Sequence, residues 1–152
     1  MSGDPGAATT TRRSQAPVVA VVAAGGAVGA LARYGLAQAW PTAAGHFPWA
    51  TFVTNVLGCF LIGVLMVLVT EVRVAHRLVR PFVGVGVLGG FTTFSTYAVE
   101  FHGLLTPGHA AVAFAYLGGT LLAAMLAVIA GVALTRRVTV RRTAAHREVA
   151  VR

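Results

Sequence analysis

The sequence predicts an all-α membrane protein of four transmembrane helices, the third of them broken. Three observations carry that prediction. Hydrophobic residues fill 57% of 152 positions and charged residues only 11%, with a mean hydropathy of +0.78, more apolar surface than one small soluble core can enclose. Four long apolar runs recur along the chain, each near the roughly 20 residues an α-helix needs to cross the hydrocarbon. All 12 basic Lys/Arg positions are arginine, and nearly all of them fall in alternate tracts between those runs.

Residues 1–16 are rich in Gly, Ala, Thr, Ser and Pro and carry Arg12 and Arg13, so a disordered leader is expected there. The first span runs from Pro17 to Trp40 and is interrupted by Arg33 about two thirds of the way along. A signal peptide is the rival reading, with Arg12 and Arg13 as its charged region and Ala30-Leu31-Ala32 as its cleavage site. Three further spans make a fourth equally natural. The second span, Trp49 to Thr70, contains no charge. An arginine-rich connection from Glu71 to Arg80 leads into the third span, about Pro81 to Val99, whose first half holds Gly84, Gly86, Gly89 and Gly90. A break near Gly89 to Thr93 is expected. The fourth span, about His109 to Leu134, ends in a basic tail over 136–152. The division expected is thus a leader at 1–16, a four-helix transmembrane subunit at 17–135 and a basic tail at 136–152.

Four spans place the N-terminus, the Glu71 to Arg80 connection and the C-terminus on one side. On that side lie Arg12, Arg13, Arg73, Arg77, Arg80, Arg136, Arg137, Arg141, Arg142, Arg147 and Arg152, whereas the loops Pro41 to Pro48 and Glu100 to Gly108 hold no Lys or Arg. The positive-inside rule then puts both termini in the cytoplasm of a multi-pass cell-membrane protein. The same distribution accounts for the net charge of +8 without a nucleic-acid partner.

The segment Gly89-Gly90-Phe91-Thr92-Thr93-Phe94-Ser95-Thr96-Tyr97 packs glycines, hydroxyls and aromatics into apolar surroundings. Irregular backbone survives at bilayer depth only inside protein or beside a water-filled path. Charge is scarce within the spans: Arg33 lies well inside, and Glu71 and Glu100 are read as helix-end residues. The interior offers neutral polar groups instead, namely Thr51, Thr54 and Asn55, then Thr92 to Thr96, then Tyr116 and Thr120. Spacings of three or four residues put Thr51 with Asn55, Phe94 with Tyr97, and Tyr116 with Thr120 on shared faces. Each such Thr is also ordinary glue between membrane helices. Asn55 is either a paired structural amide or a pore-lining one, and Arg33 either snorkels or raises local anion concentration at an entrance. Cys59 reads as a small buried hydrophobe. His46, His76, His102, His109 and His146 show no metal-ligand spacing, and no nucleophile and base are placed for an enzyme.

On these motifs the chain resembles the Fluc/CrcB family of fluoride ion channels. The resemblance rests on Gly25 to Tyr34 in the first span, Pro48 to Gly58 in the second, the Gly89 to Tyr97 segment and the Tyr116 and Thr120 pair, and it covers about Ala24 to Leu134. It implies a four-helix subunit pairing antiparallel with a second copy, two narrow pores, and one structural Na+ held at the dimer centre by backbone carbonyls of Gly89 and Thr92. It also implies Phe94 and Tyr97 as the pore-facing aromatic pair, Asn55 as the pore amide, Arg33 as the vestibule arginine, and Thr96, Glu100, Tyr116 and Thr120 as a polar line. Tyr97 departs from the commoner Phe, and Ala124 lacks a hydroxyl that some relatives have.

The function expected is a fluoride-specific channel exporting the ion passively, since an inside-negative potential is worth about 2.3 kcal/mol per charge per 100 mV. One-sided arginine is incompatible with insertion in both orientations, so the antiparallel partner is expected to be a homologous subunit of opposite charge bias, with a homodimer as the other possibility. The rival functions are a small multidrug-type exporter, which needs an acidic residue deep in the membrane, and a non-transporting assembly subunit.

Overall fold

The computed structural model describes residues 6–72 and 77–150, and among them the secondary structure is helical throughout. Helix α1 spans Gly6–Ala39 and α2 spans Trp49–Val67, the latter passing directly into a π-helical turn at Leu68–Val72. A second π-helical stretch, Arg80–Leu88, leads into the short α3, Gly89–Phe91; α4 covers Ser95–Leu104 and α5 covers Ala110–Ala150. Four stretches are long and apolar enough to cross a membrane: Gln15–Ala39, Trp49–Thr70, Arg80–Leu104 and Ala110–Thr139. They match the four expected spans, with the third reaching five residues beyond Val99.

The ends of the chain differ from expectation. Residues 6–16, read as leader, are helical and continue into the first span, and the helix passes through Pro17. Ala7, Ala8, Arg12, Arg13 and Ala16 are strong helix formers, and a single proline removes one ladder hydrogen bond without preventing the turns on either side. Residues 1–5 lie outside the described residues. The tail likewise continues α5 as far as Ala150.

Two helix pairs make up the bundle: α1 packs on the third span and α2 packs on α5. Glycine sets both distances. A Cβ on Gly25 would sit 3.0 Å from Gly86 Cα, one on Gly29 would be 2.7 Å from the Phe91 nitrogen, and one on Gly90 would meet the Gly26 carbonyl. Gly25 meets Gly86, Gly26 meets Gly90 and Gly29 lies on the backbone of Val87 and Phe91, so small residues on both stretches let the backbones touch. Across the other pair, Gly63 meets the carbonyl of Val128, and Gly131 meets that of Phe60. Lipid tails are as apolar as leucine, so it is this close backbone fit that holds the helices together. Leu31, Val85, Val99, Leu122, Leu126 and Ile129 point outward, as lipid permits.

Near the end that carries the short loops, Tyr97, Leu104, Ala113 and Tyr116 are buried together, with Phe47, Phe52 and Phe101 packed on them. The Tyr116 ring lies 5.1 Å from Tyr97 and 5.2 Å, edge-on, from Phe47. The loop carrying Phe47 turns at Gly45, whose φ of 77° and contact with the His109 ring leave room for no side chain.

Candidate functional site

Between α3 and α4 the chain leaves helical geometry: Thr92 is extended, with φ −73° and ψ 153°. Its hydroxyl and its amide both donate to the Leu88 carbonyl, each at 3.0 Å, so the last turn of α3 is closed by the residue that ends it. Thr93 then turns toward α2. The Asn55 Nδ2 donates to the Thr93 carbonyl at 2.9 Å, and the Thr93 amide donates to Asn55 Oδ1 at 2.8 Å. In a continuous helix that amide would close on the Gly89 carbonyl four residues back. One side-chain amide thus satisfies both backbone groups of the residue least supported by its own helix, as apolar surroundings demand.

Thr93 also starts α4. Its hydroxyl accepts from the Thr96 amide at 3.1 Å and donates to the Thr96 hydroxyl at 3.0 Å. One turn on, Glu100 accepts from Thr51 of α2 at 2.9 Å and from the Tyr116 hydroxyl of α5 at 2.6 Å. The third stretch runs past Glu100 to Leu104, so Glu100 stands one turn from its end, where hydroxyls from two other helices meet the carboxylate. A carboxylate in that position needs donors, and these two are its donors.

Two cavities flank the Asn55–Thr93 pair. One, of about 210 Å³, is lined by Asn55, Cys59, Thr92, Phe94, Tyr97 and Thr120, and by Ala124. The other, of about 310 Å³, is lined by Arg33, Thr51, Thr54, Thr96 and Glu100. Thr93 borders both. The structure thus divides the expected residues into two groups meeting at Thr93, while Tyr116 stands behind Glu100, fully buried.

Individual positions refine the sequence reading. The Tyr97 hydroxyl donates to the Leu117 carbonyl at 2.6 Å, so the group that distinguishes it from phenylalanine is engaged by α5. Phe94 is 76% exposed, with its ring 5.8 Å from that of Tyr97. Arg33 Nε donates to the Gly90 carbonyl at 3.3 Å, tying α1 to the third span beside the interruption. Gly89 is exposed and Thr92 half-buried. Thr120 is only 4% exposed, and its hydroxyl is the one buried side-chain polar atom without a partner among the described residues. A buried hydroxyl left unpaired is costly unless something visits it. Its Oγ1 belongs to a residue lining the first cavity, beside the aromatic pair.

Sequence reasoning missed the Thr93 clamp and the Thr51 bond to Glu100, although the resemblance implied Glu100 in a polar line with Thr96, Tyr116 and Thr120. The signal was present as spacing, because Thr93, Thr96 and Glu100 recur at three and four residues, as do Thr51 and Asn55 on α2. Chemically, most donors here are already spent on neighbours, and what remains is a small neutral chamber with one free hydroxyl, an amide and ring edges of positive quadrupole. Such a lining suits a small anion held weakly. No group of three His, Cys, Asp or Glu side chains positioned for a metal occurs among the described residues.

Residues 20–132 match the family described as CrcB-like protein, Camphor Resistance (CrcB). The chain is 60% identical over 126 residues to a Streptomyces coelicolor protein named fluoride-specific ion channel FluC 1, a match covering 83% of this chain and 82% of that one. It is 58% identical over 147 residues to fluoride-specific ion channel FluC 2 of Streptomyces avermitilis, covering 92% and 93%. A Nocardia farcinica protein named fluoride-specific ion channel FluC 2 is 57% identical over 122 residues, covering 80% and 87%. The matched stretch includes every residue of the two cavities, and this chain belongs to the CrcB-like family.

Proposed function

We propose that this chain is a subunit of a fluoride-specific ion channel that lowers cytoplasmic fluoride by passive export. The observation that carries the reading is the identity of 57–60% to three proteins bearing that name, over 80–92% of this chain. The site's chemistry supports it. Fluoride is small and strongly hydrated, and a path for it has to replace water with donors that release the ion again. The Thr120 hydroxyl, the edges of Phe94 and Tyr97 and the second Asn55 N–H are donors of that kind. Arg33, Thr51 and Thr96 line the neighbouring cavity together with Glu100, so a guanidinium offsets the carboxylate beside the anion's path. No fuel is required: with both termini in the cytoplasm of a cell whose interior is negative, the potential drives the anion outward by about 2.3 kcal/mol per 100 mV.

The assembly in this reading is an antiparallel dimer, with the exposed Phe94 and the interruption at Thr92–Phe94 facing the partner. Main-chain carbonyls of Gly89 and Thr92 would hold a Na+ there, supplying fixed positive charge and rigidity. The fit is chemical: carbonyl oxygens suit a hard cation, and the Thr93 amide that would close the Gly89 carbonyl is engaged by Asn55. The partner is a homologous subunit of opposite charge bias, because eleven arginines on one side allow a single orientation. The test is intracellular fluoride in cells deprived of their own fluoride channel and supplied with this chain and its homologue. Accumulation falls if the reading is right, and accumulation equal to that of the empty cells overturns it.

A further inference from the structure

A third cavity, of about 200 Å³, opens on the outer surface of the bundle, away from the site above. Ile62, Leu65 and Val69 of the second span line it on one side, and Gly84, Val85 and the exposed Arg80 of the third on the other. Seven residues separate Ile62 from Val69, a run of about 10 Å at 1.5 Å per residue. Gly84 keeps the groove open, since a Cβ there would come 3.1 Å from Leu65 Cδ2. Val85 is 63% exposed and Arg80 is exposed, with no hydrogen-bond or ion-pair partner among the described residues. Arg77, exposed as well, lies three residues before Arg80 in the same connection.

An apolar groove about 10 Å long, with an exposed guanidinium that has no partner among the described residues at the end where the span meets water, has the polarity of one lipid: acyl chain below, phosphate above. We propose that this groove between α2 and the Arg80–Leu88 stretch holds an anionic phospholipid, with its phosphate on Arg80. Arginine favours phosphate because its planar fork matches the oxygens in pairs. A zwitterionic lipid carries its own cation beside the phosphate, which Arg77 and Arg80 would oppose. Basic pockets at the cytoplasmic ends of membrane helices select anionic headgroups for this reason. The orientation proposed above puts the groove in the leaflet that carries such lipids, but the lipid is recognised whichever ion the channel conducts.

The test is lipid retention by the purified full-length chain, reconstituted in mixed phosphatidylglycerol and phosphatidylcholine and read by native mass spectrometry. Phosphatidylglycerol should remain bound under conditions that strip phosphatidylcholine. Arg80→Gln should lower that retention about fivefold, the effect of one arginine at an anionic surface, whereas Arg80→Lys should preserve most of it. Gly84→Leu fills the groove and should abolish retention without altering helical content. Equal retention of the two lipids, or retention unchanged in both Arg80→Gln and Gly84→Leu, overturns the proposal. So does a change in oligomer mass with lipid adducts intact, which would make the groove a contact between copies of the chain.

Discussion

Replacing Asn55 with alanine removes two hydrogen bonds at once, the 2.9 Å bond to the Thr93 carbonyl and the 2.8 Å bond from the Thr93 amide. Each such bond contributes about 0.5–1.5 kcal/mol net, so the pair contributes about 1–3 kcal/mol. Stranding the two Thr93 groups in apolar surroundings would cost more still if the backbone stayed where it is. It has another option: the freed amide can return to the Gly89 carbonyl and continue the helix through Thr93. Asn55→Ala should therefore destabilise the protein by about 1–3 kcal/mol and also slow amide exchange across Thr92–Thr96 as helical bonds replace the clamp. Denaturation in mild detergent gives the first quantity and hydrogen–deuterium exchange the second. A variant with wild-type stability and unchanged exchange over those residues would refute the reasoning that Asn55 holds the interruption open.

Four further outcomes follow from the same geometry. Thr120→Val removes the unpartnered buried hydroxyl, so it should leave stability unchanged or raise it by about 1 kcal/mol while slowing fluoride efflux; a variant that is less stable and equally fast contradicts the assignment. Tyr97→Phe gives up the bond to the Leu117 carbonyl and keeps the ring, so it should cost about 1 kcal/mol in melting experiments with fluoride efflux retained. Tyr116→Phe leaves Glu100 with Thr51 alone and should cost about 1–3 kcal/mol, measured by the same melts, as expected for a bond to a charged acceptor. On α1, Gly29→Ala drives a methyl against Val87 and Phe91 and should destabilise by about 1–3 kcal/mol, whereas a Cβ on the neighbouring Gly26 has nothing within 4 Å and Gly26→Ala should be neutral or mildly stabilising. Equal melting of the two glycine variants would contradict the close packing of α1 on the third span.

The four spans were legible because a run such as Trp49–Thr70 has one physical use: an uncharged apolar helix of bilayer length. The unusual Gly89 to Tyr97 segment was legible for the opposite reason, since glycines and hydroxyls are costly there unless protein receives them. What receives them was not. The Asn55–Thr93 pair joins residues 38 apart, and the Thr51–Glu100–Tyr116 set draws on three helices, so nothing local announces either. Glu100 was legible as a helix-end residue because the apolar run thins after Val99; in the structure α4 continues one more turn to Leu104, and the partners that receive the carboxylate come from two other helices. Similarly, composition marked Thr51, Thr54, Thr92, Thr96 and Thr120 alike. Only packing distinguishes Thr120, whose hydroxyl is unspent, from Thr92 and Thr51, whose hydroxyls are committed to Leu88 and Glu100.

The most direct measurement is fluoride efflux from liposomes, read by a fluoride electrode with chloride followed in parallel, for this chain alone and together with its homologue of opposite charge bias. Fluoride should leave the vesicles when both chains are present, with chloride retained. Fluoride retained even with both chains, or chloride leaving as fast, would contradict the reading of this protein as a subunit of a fluoride-specific channel.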